Sequence, residues 1–184
     1  MLKSAETHHG FSEFEQPGLP AVSAQTRFDT YQQCTDDISY SSLNLKTLNG
    51  SSDYTNLAAI GGFANANSNL VAGTVNYAYI GGSQGESSPN APAQSGANSF
   101  TAASGTVKPY ESDIWTIDPT TGAVTAQWVN TDGSTPKTYF AIAQNVVILT
   151  ADLSRYAISF GSITAVSVTF VQLSSSVVPV TTTV

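Results

Sequence analysis

From Arg27 onward the chain is a succession of short runs rich in Val, Ile, Thr, Tyr and Phe, each closed by Gly, Pro, Asn, Asp or Ser. Such runs read as β-strands bounded by turns. The first four fall at residues 28–33, 38–45, 54–60 and 70–80, punctuated by Asp36-Asp37, Asn49-Gly50 and Gly61-Gly62. Within 71–80 the period of two places Val71, Gly73, Val75, Tyr77 and Tyr79 on one face and Ala72, Thr74, Asn76 and Ala78 on the other. That alternation predicts one half-buried strand.

The clearest local signal is a hairpin. Residues 113–117 and 124–129 flank Asp118-Pro119-Thr120-Thr121-Gly122-Ala123, in which Pro after Asp initiates a turn and Gly122 accepts a positive φ. A second turn at Asn130-Thr131-Asp132-Gly133-Ser134 leads to strands at 139–142 and 146–150. Asp152 caps one helical turn through Tyr156, and the last strands cover 163–173 and 177–184, split by Ser174-Ser175-Ser176.

Two stretches lie outside this pattern. Residues 1–26 have no sustained period and read as an irregular arm before a β-domain at 27–184. Residues 81–106 are rich in Gly, Ser, Ala, Asn and Pro with Phe100 as their sole large apolar side chain, and read as a long solvated loop or a mobile flap. Closely spaced strands with almost no helical period predict a single-domain, all-β antiparallel β-sandwich of jelly-roll or immunoglobulin-like type. The antibody-like Cys-Trp-Cys arrangement is missing, because Cys34 is the sole cysteine.

Composition narrows the function. Only 10% of the residues are charged, and six Lys and Arg against thirteen Asp and Glu leave a net charge of −7. No basic run collects phosphates, so nucleic acid and anionic membrane surfaces are not expected partners. No apolar stretch approaches the ~20 residues that span a bilayer. Cys34 has no intrachain partner and reads as a buried thiol or an interchain bridge. Residues 1–9 lack the apolar core of a secretory signal, whereas abundant Ser and Thr and the glycosylation sequon at Asn49 favour an extracellular setting.

Catalytic chemistry finds few residues to work with. His8 and His9 are the only histidines and both lie in the arm, which argues against a Ser-His-Asp triad and against zinc or copper. Calcium needs only oxygen ligands, and Asp36, Asp37, Asp113, Asp118, Asp132 and Asp152 supply carboxylates, but turn formation accounts for them better. A glycosidase pair drawn from Glu111, Asp113 and Asp118 is open on the same terms. No cofactor is expected.

Surfaces offer more. Trp115, Tyr110 and Tyr139, with Asp113 beside them, form a candidate sugar site if Trp115 faces water, while Trp128 shares a face with Val124 and Ala126 and reads as core. Residues 164–171 combine high β-propensity with no charge and no proline, features that natural edge strands avoid. Val166, Val168 and Phe170 there, with Val178 and Val180 of the terminal run, are candidate assembly positions.

The stretch from Asp113-Ile114-Trp115-Thr116-Ile117-Asp118-Pro119-Thr120-Thr121-Gly122 to Gln127-Trp128-Val129-Asn130-Thr131-Asp132-Gly133-Ser134-Thr135-Pro136, with Leu149-Thr150-Ala151-Asp152 after it, resembles small secreted β-rich proteins of basidiomycete fungi. The resemblance covers roughly residues 110–172 and rests on turn and tryptophan positions. It implies an extracellular or cell-surface setting and transfers no site residue. The sequence therefore reads as a non-catalytic extracellular structural or surface protein that forms a homo-oligomer or larger assembly through neutral strand edges. A lectin-like sandwich binding glycans is the alternative, and a carboxylate-only glycoside hydrolase the third reading.

Overall fold

The structure, a computed structural model, describes residues 42–47 and 50–171. The arm at 1–26, the strands expected at 28–33 and 177–184, and Cys34, Asn49, Val178 and Val180 lie outside the described residues. In chain order the elements are β1 (Asn56–Gly61), β2 (Tyr77–Ser83), α1 (Ser99–Ser104), β3 (Tyr110–Glu111), β4 (Trp115–Ile117), β5 (Ala123–Ala126), β6 (Tyr139–Ala143), β7 (Val146–Thr150), α2 (Leu153–Phe160), β8 (Thr164–Ala165) and β9 (Val168–Thr169). All strand pairings are antiparallel. They build a six-stranded sheet in the order β3-β1-β2-β7-β6-β8 and a three-stranded sheet in the order β4-β5-β9. The molecule is an all-β sandwich in one domain.

Alternation explains how the sheets face each other. In β5, Val124 and Ala126 turn inward while Ala123 and Thr125 face solvent. They meet Trp115 of β4, and this face packs against Leu57, Ala59, Ala78, Ile80, Phe140 and Leu149 of the larger sheet. The Trp115 and Phe140 rings stack with centroids 6.1 Å apart. Burying each large aliphatic side chain here contributes roughly 1.5–3 kcal/mol.

The outer face of the larger sheet is covered too, which is why all of β1 is buried. There α2 lays Tyr156 and Phe160 against Tyr77 and Ile148, and Phe100 of α1 stacks on Tyr79 at 4.8 Å. Close approach demands glycine at one point: a Cβ on Gly82 would lie 2.3 Å from the Tyr54 carbonyl oxygen.

The hairpin forms as the sequence implies. Gly122 has φ 72°, and the Asp118 carboxylate accepts the Thr120 and Thr121 amides. Four other segments differ from expectation. Residues 71–74 form a turn rather than a strand start, with the Thr74 amide on the Val71 carbonyl at 3.0 Å and Gly73 at φ 85°; Asn76, bonded to Asn67 and the Asn69 carbonyl, closes that excursion. The stretch 81–106 holds the end of β2 and all of α1, whose N-cap Asn98 accepts the Thr101 amide at 2.9 Å. Hydrogen bonds hold it at Ser87 and Gln94. The helix after Asp152 runs two turns, to Phe160, because Tyr156 and Phe160 gain burial on the sheet. Finally, the run 163–173 splits between the two sheets, as β8 on β6 and β9 on β5.

Candidate functional site

Each sheet of an open sandwich has two edges, and an edge presents unpaired backbone groups. Among the described residues, two of the four edges are capped. Outside β3, Gln94 and Tyr110 exchange backbone hydrogen bonds of 3.0 and 2.9 Å. Outside β4, Leu43 and Trp115 do the same at 2.7 and 3.3 Å. The edges left uncapped among the described residues are β8 and β9, both supplied by the same run of chain.

That run is exposed and neutral. No charged residue occurs from position 156 to position 184, and Thr164, Ala165, Ser167, Val168 and Thr169 are all exposed. Ser167, between the two strands, has neither its amide nor its carbonyl in a hydrogen bond among the described residues. Exposed apolar side chains flank it: Ile142, next to Thr164 in the ladder, and Val171, 70% exposed.

Of the assembly residues expected from sequence, Val168 is exposed, while Val166 and Phe170 are half-buried against the inter-sheet core. Their amides are committed inward, Val166 to the Phe140 carbonyl and Phe170 to the Gly122 carbonyl. The outward positions are instead Ala165, Ser167 and Thr169. Their signal is the period of two within 164–171, whose other parity carries the larger residues Val166, Val168 and Phe170.

The expected sugar site does not assemble. Trp115 is 2% exposed and its indole Nε1 donates to the Leu57 carbonyl at 2.9 Å, so no face is open to a pyranose. Tyr110 is equally buried, and Asp113 lies inside a polar knot. Tyr139 alone is exposed, on β6 beneath the Lys137 ammonium. Trp128 is core, with Nε1 on the Ser68 carbonyl.

The knot joins β3, β4 and the 84–98 strap. Ser112 Oγ accepts the Ser87 amide at 2.8 Å, and Ser87 Oγ accepts the amides of Ser112 and Asp113 at 2.7 and 3.0 Å. Asn44 Nδ2 donates to Ser112 Oγ and Asp113 Oδ2. Both serine hydroxyls and Asp113 Oδ2 are engaged, Asn44 Oδ1 is buried without a partner, and the knot ties the two sheets together.

Glu111 is the anomaly. It points between the sheets with no exposed surface. Its Oε2 accepts the Val129 amide at 3.0 Å, whereas Oε1 has no hydrogen-bond partner. Burial pushes the carboxyl up to about 8; the Val129 amide, with a weaker pull from the Ala93 amide that does not reach hydrogen-bond geometry, offsets this only in part. A glycosidase pair needs two carboxyls on an open cleft; Glu111 is sealed and Asp118 is fully exposed on a turn.

The other acids serve the backbone. Amide hydrogen bonds at Asp118 and Asp152, and Ser134 at Asp132, hold these carboxyls below the usual carboxylate range. Among the described residues no three His, Cys, Asp or Glu side chains cluster as a metal site. No helix among them is long and apolar enough to cross a membrane. Neither a family model, nor a curated protein, nor a solved structure matches the chain.

Proposed function

We propose that this is a non-catalytic structural or surface protein of an extracellular setting, which associates with copies of itself by strand addition at β8 and β9. The observation that carries the reading is that, among the described residues, one neutral run presents two uncapped sheet edges, while the other two edges are capped by Gln94 and Leu43. Main-chain hydrogen bonds would provide affinity, as in other strand-addition contacts. Charge, proline and bulges are the usual protections of an edge, and residues 164–171 carry neither charge nor proline.

Charge also selects the occupant. Copies of a chain with net charge −7 repel one another, and over exposed surface this repulsion persists to about 8 Å at physiological ionic strength. A neutral edge is where identical copies approach at least cost. The extracellular setting is supported by the sequon at Asn49 and by the resemblance to secreted fungal proteins.

Light scattering on a size-exclusion column across a dilution series tests the reading. Association that weakens on dilution, and is lost with Ser167→Lys, is the expected result. A monomer at every concentration refutes it.

A further inference from the structure

Strand register determines which backbone groups the open run offers. In an antiparallel ladder, pairs that exchange both hydrogen bonds alternate with pairs whose amides and carbonyls point away from each other. On β8, Thr164 lies opposite Ile142 and Ala165 opposite Ala141, while the Val166 amide donates to the Phe140 carbonyl at 3.0 Å. Thr164 and Val166 therefore turn their backbone groups toward β6, and Ala165 turns its own outward. On β9, Val168 lies opposite Val124 and Thr169 opposite Ala123, while the Phe170 amide donates to the Gly122 carbonyl at 2.8 Å. Thr169 therefore points outward as well.

Ser167 sits midway, exposed, with no backbone hydrogen bond among the described residues. The outward set is thus Ala165, Ser167 and Thr169, evenly spaced and symmetric about Ser167. All three side chains are small. We infer that two copies join antiparallel across a two-fold axis at Ser167, with Ser167 opposite its counterpart and Ala165 opposite Thr169 of the second copy.

This rests on the self-association reading and specifies its geometry. Because Ala165 belongs to the larger sheet and Thr169 to the smaller, each six-stranded sheet continues into the three-stranded sheet of the other copy. A two-fold contact uses the same patch on both partners and closes. The edge therefore yields a dimer and does not propagate a filament. The absence of charge from position 156 to position 184 lets the two like-charged copies meet there.

Three single-cysteine versions of the full chain test the axis, each on a Cys34→Ser background: Ala165→Cys, Ser167→Cys and Thr169→Cys. Facing residues in a doubly hydrogen-bonded antiparallel pair have Cα atoms about 5.5 Å apart, within the roughly 4.4–6.8 Å that a disulfide spans. Under mild oxidation the Ser167→Cys protein should form a covalent dimer at least about tenfold faster than either other variant alone. A mixture of the Ala165→Cys and Thr169→Cys proteins should crosslink at a comparable rate. Association by light scattering with crosslinking fastest in Ala165→Cys or Thr169→Cys alone, or with equal rates throughout, overturns the axis and leaves self-association standing. A monomer at every concentration overturns both.

Discussion

Replacing Glu111 by Gln tests the account of the sandwich interior. The wild-type carboxyl titrates near 4.5 in the unfolded chain and near 8 in the fold, because burial disfavours its charged form. Below pH 4.5 both states are neutral and the full stability is present. Between pH 4.5 and 8 the unfolded chain gives up its proton while the fold retains it, so the fold loses stability as pH rises. Above pH 8 the fold is ionised too, and the loss levels off. At about 1.4 kcal/mol per pH unit the accumulated loss is roughly 3–5 kcal/mol.

Glutamine keeps the shape and an acceptor for the Val129 amide but does not titrate. Its amino group would occupy the position of the unpartnered Oε1, a cost of about 1–3 kcal/mol for an unsatisfied buried donor. The Glu111→Gln protein should therefore be less stable than wild type by about 1–3 kcal/mol at low pH and more stable at pH 9, with the curves crossing between about pH 5 and pH 7. Urea unfolding from pH 4.5 to 9.5 measures this, and Cys34 and the histidines cancel because both proteins carry them. Parallel stability curves would refute the reasoning, since they would mean that Glu111 titrates alike in the folded and unfolded states.

Other substitutions probe the packing. Gly82→Ala brings a Cβ against the Tyr54 carbonyl and should cost about 1–3 kcal/mol in thermal or urea unfolding. Leu149→Ala removes a fully buried side chain from the inter-sheet core and should cost about 2–5 kcal/mol. Asn98→Ala deletes the N-cap of α1 and the hydrogen bonds from Nδ2 to the Gly96 and Lys108 carbonyls; a loss of about 2–3 kcal/mol, with faster hydrogen exchange at the Thr101 amide, is expected.

Local chemistry was readable where turn and strand agreed. Asp118 and Gly122 announced their hairpin, Asp152 announced a cap, and the neutral run after Tyr156 marked the segment that supplies the two edges left uncapped among the described residues. Failures came where the chain changes sheets. Trp115 shares a strand face with Asp113 only if the strand continues through both, but residues 112–114 cross from one sheet to the other and reset the alternation. The run 163–173 read as one strand for the same reason. Glu111 gave no sign because a single acid in a polar stretch reads as solvated; only the capping of β3 by the 84–98 strap encloses it. Residues 71–74 failed differently, since the asparagine bonds that close that turn depend on side chains that periodicity ignores.

The placement of charge leads to a prediction about salt. Asp118, Asp132 and Asp152 occupy turns, and hydrogen bonds hold their carboxyls ionised to lower pH than usual. Their negative charge is thus persistent, while residues 156–184 carry none. Two copies approaching through the turns that hold Asp118, Asp132 and Asp152 meet like charge, whereas the strands β8 and β9 themselves bring none to a contact. If the contact is neutral and the repulsion long-range, salt acts on the repulsion alone. Raising ionic strength from 0.01 to 0.15 M shortens the screening length from about 30 to about 8 Å, so the dimer dissociation constant should fall. Sedimentation equilibrium at the two salt concentrations measures it. A contact built on ion pairs would respond in the opposite sense, and a dissociation constant that rises with salt would rule out the neutral edge as the meeting surface.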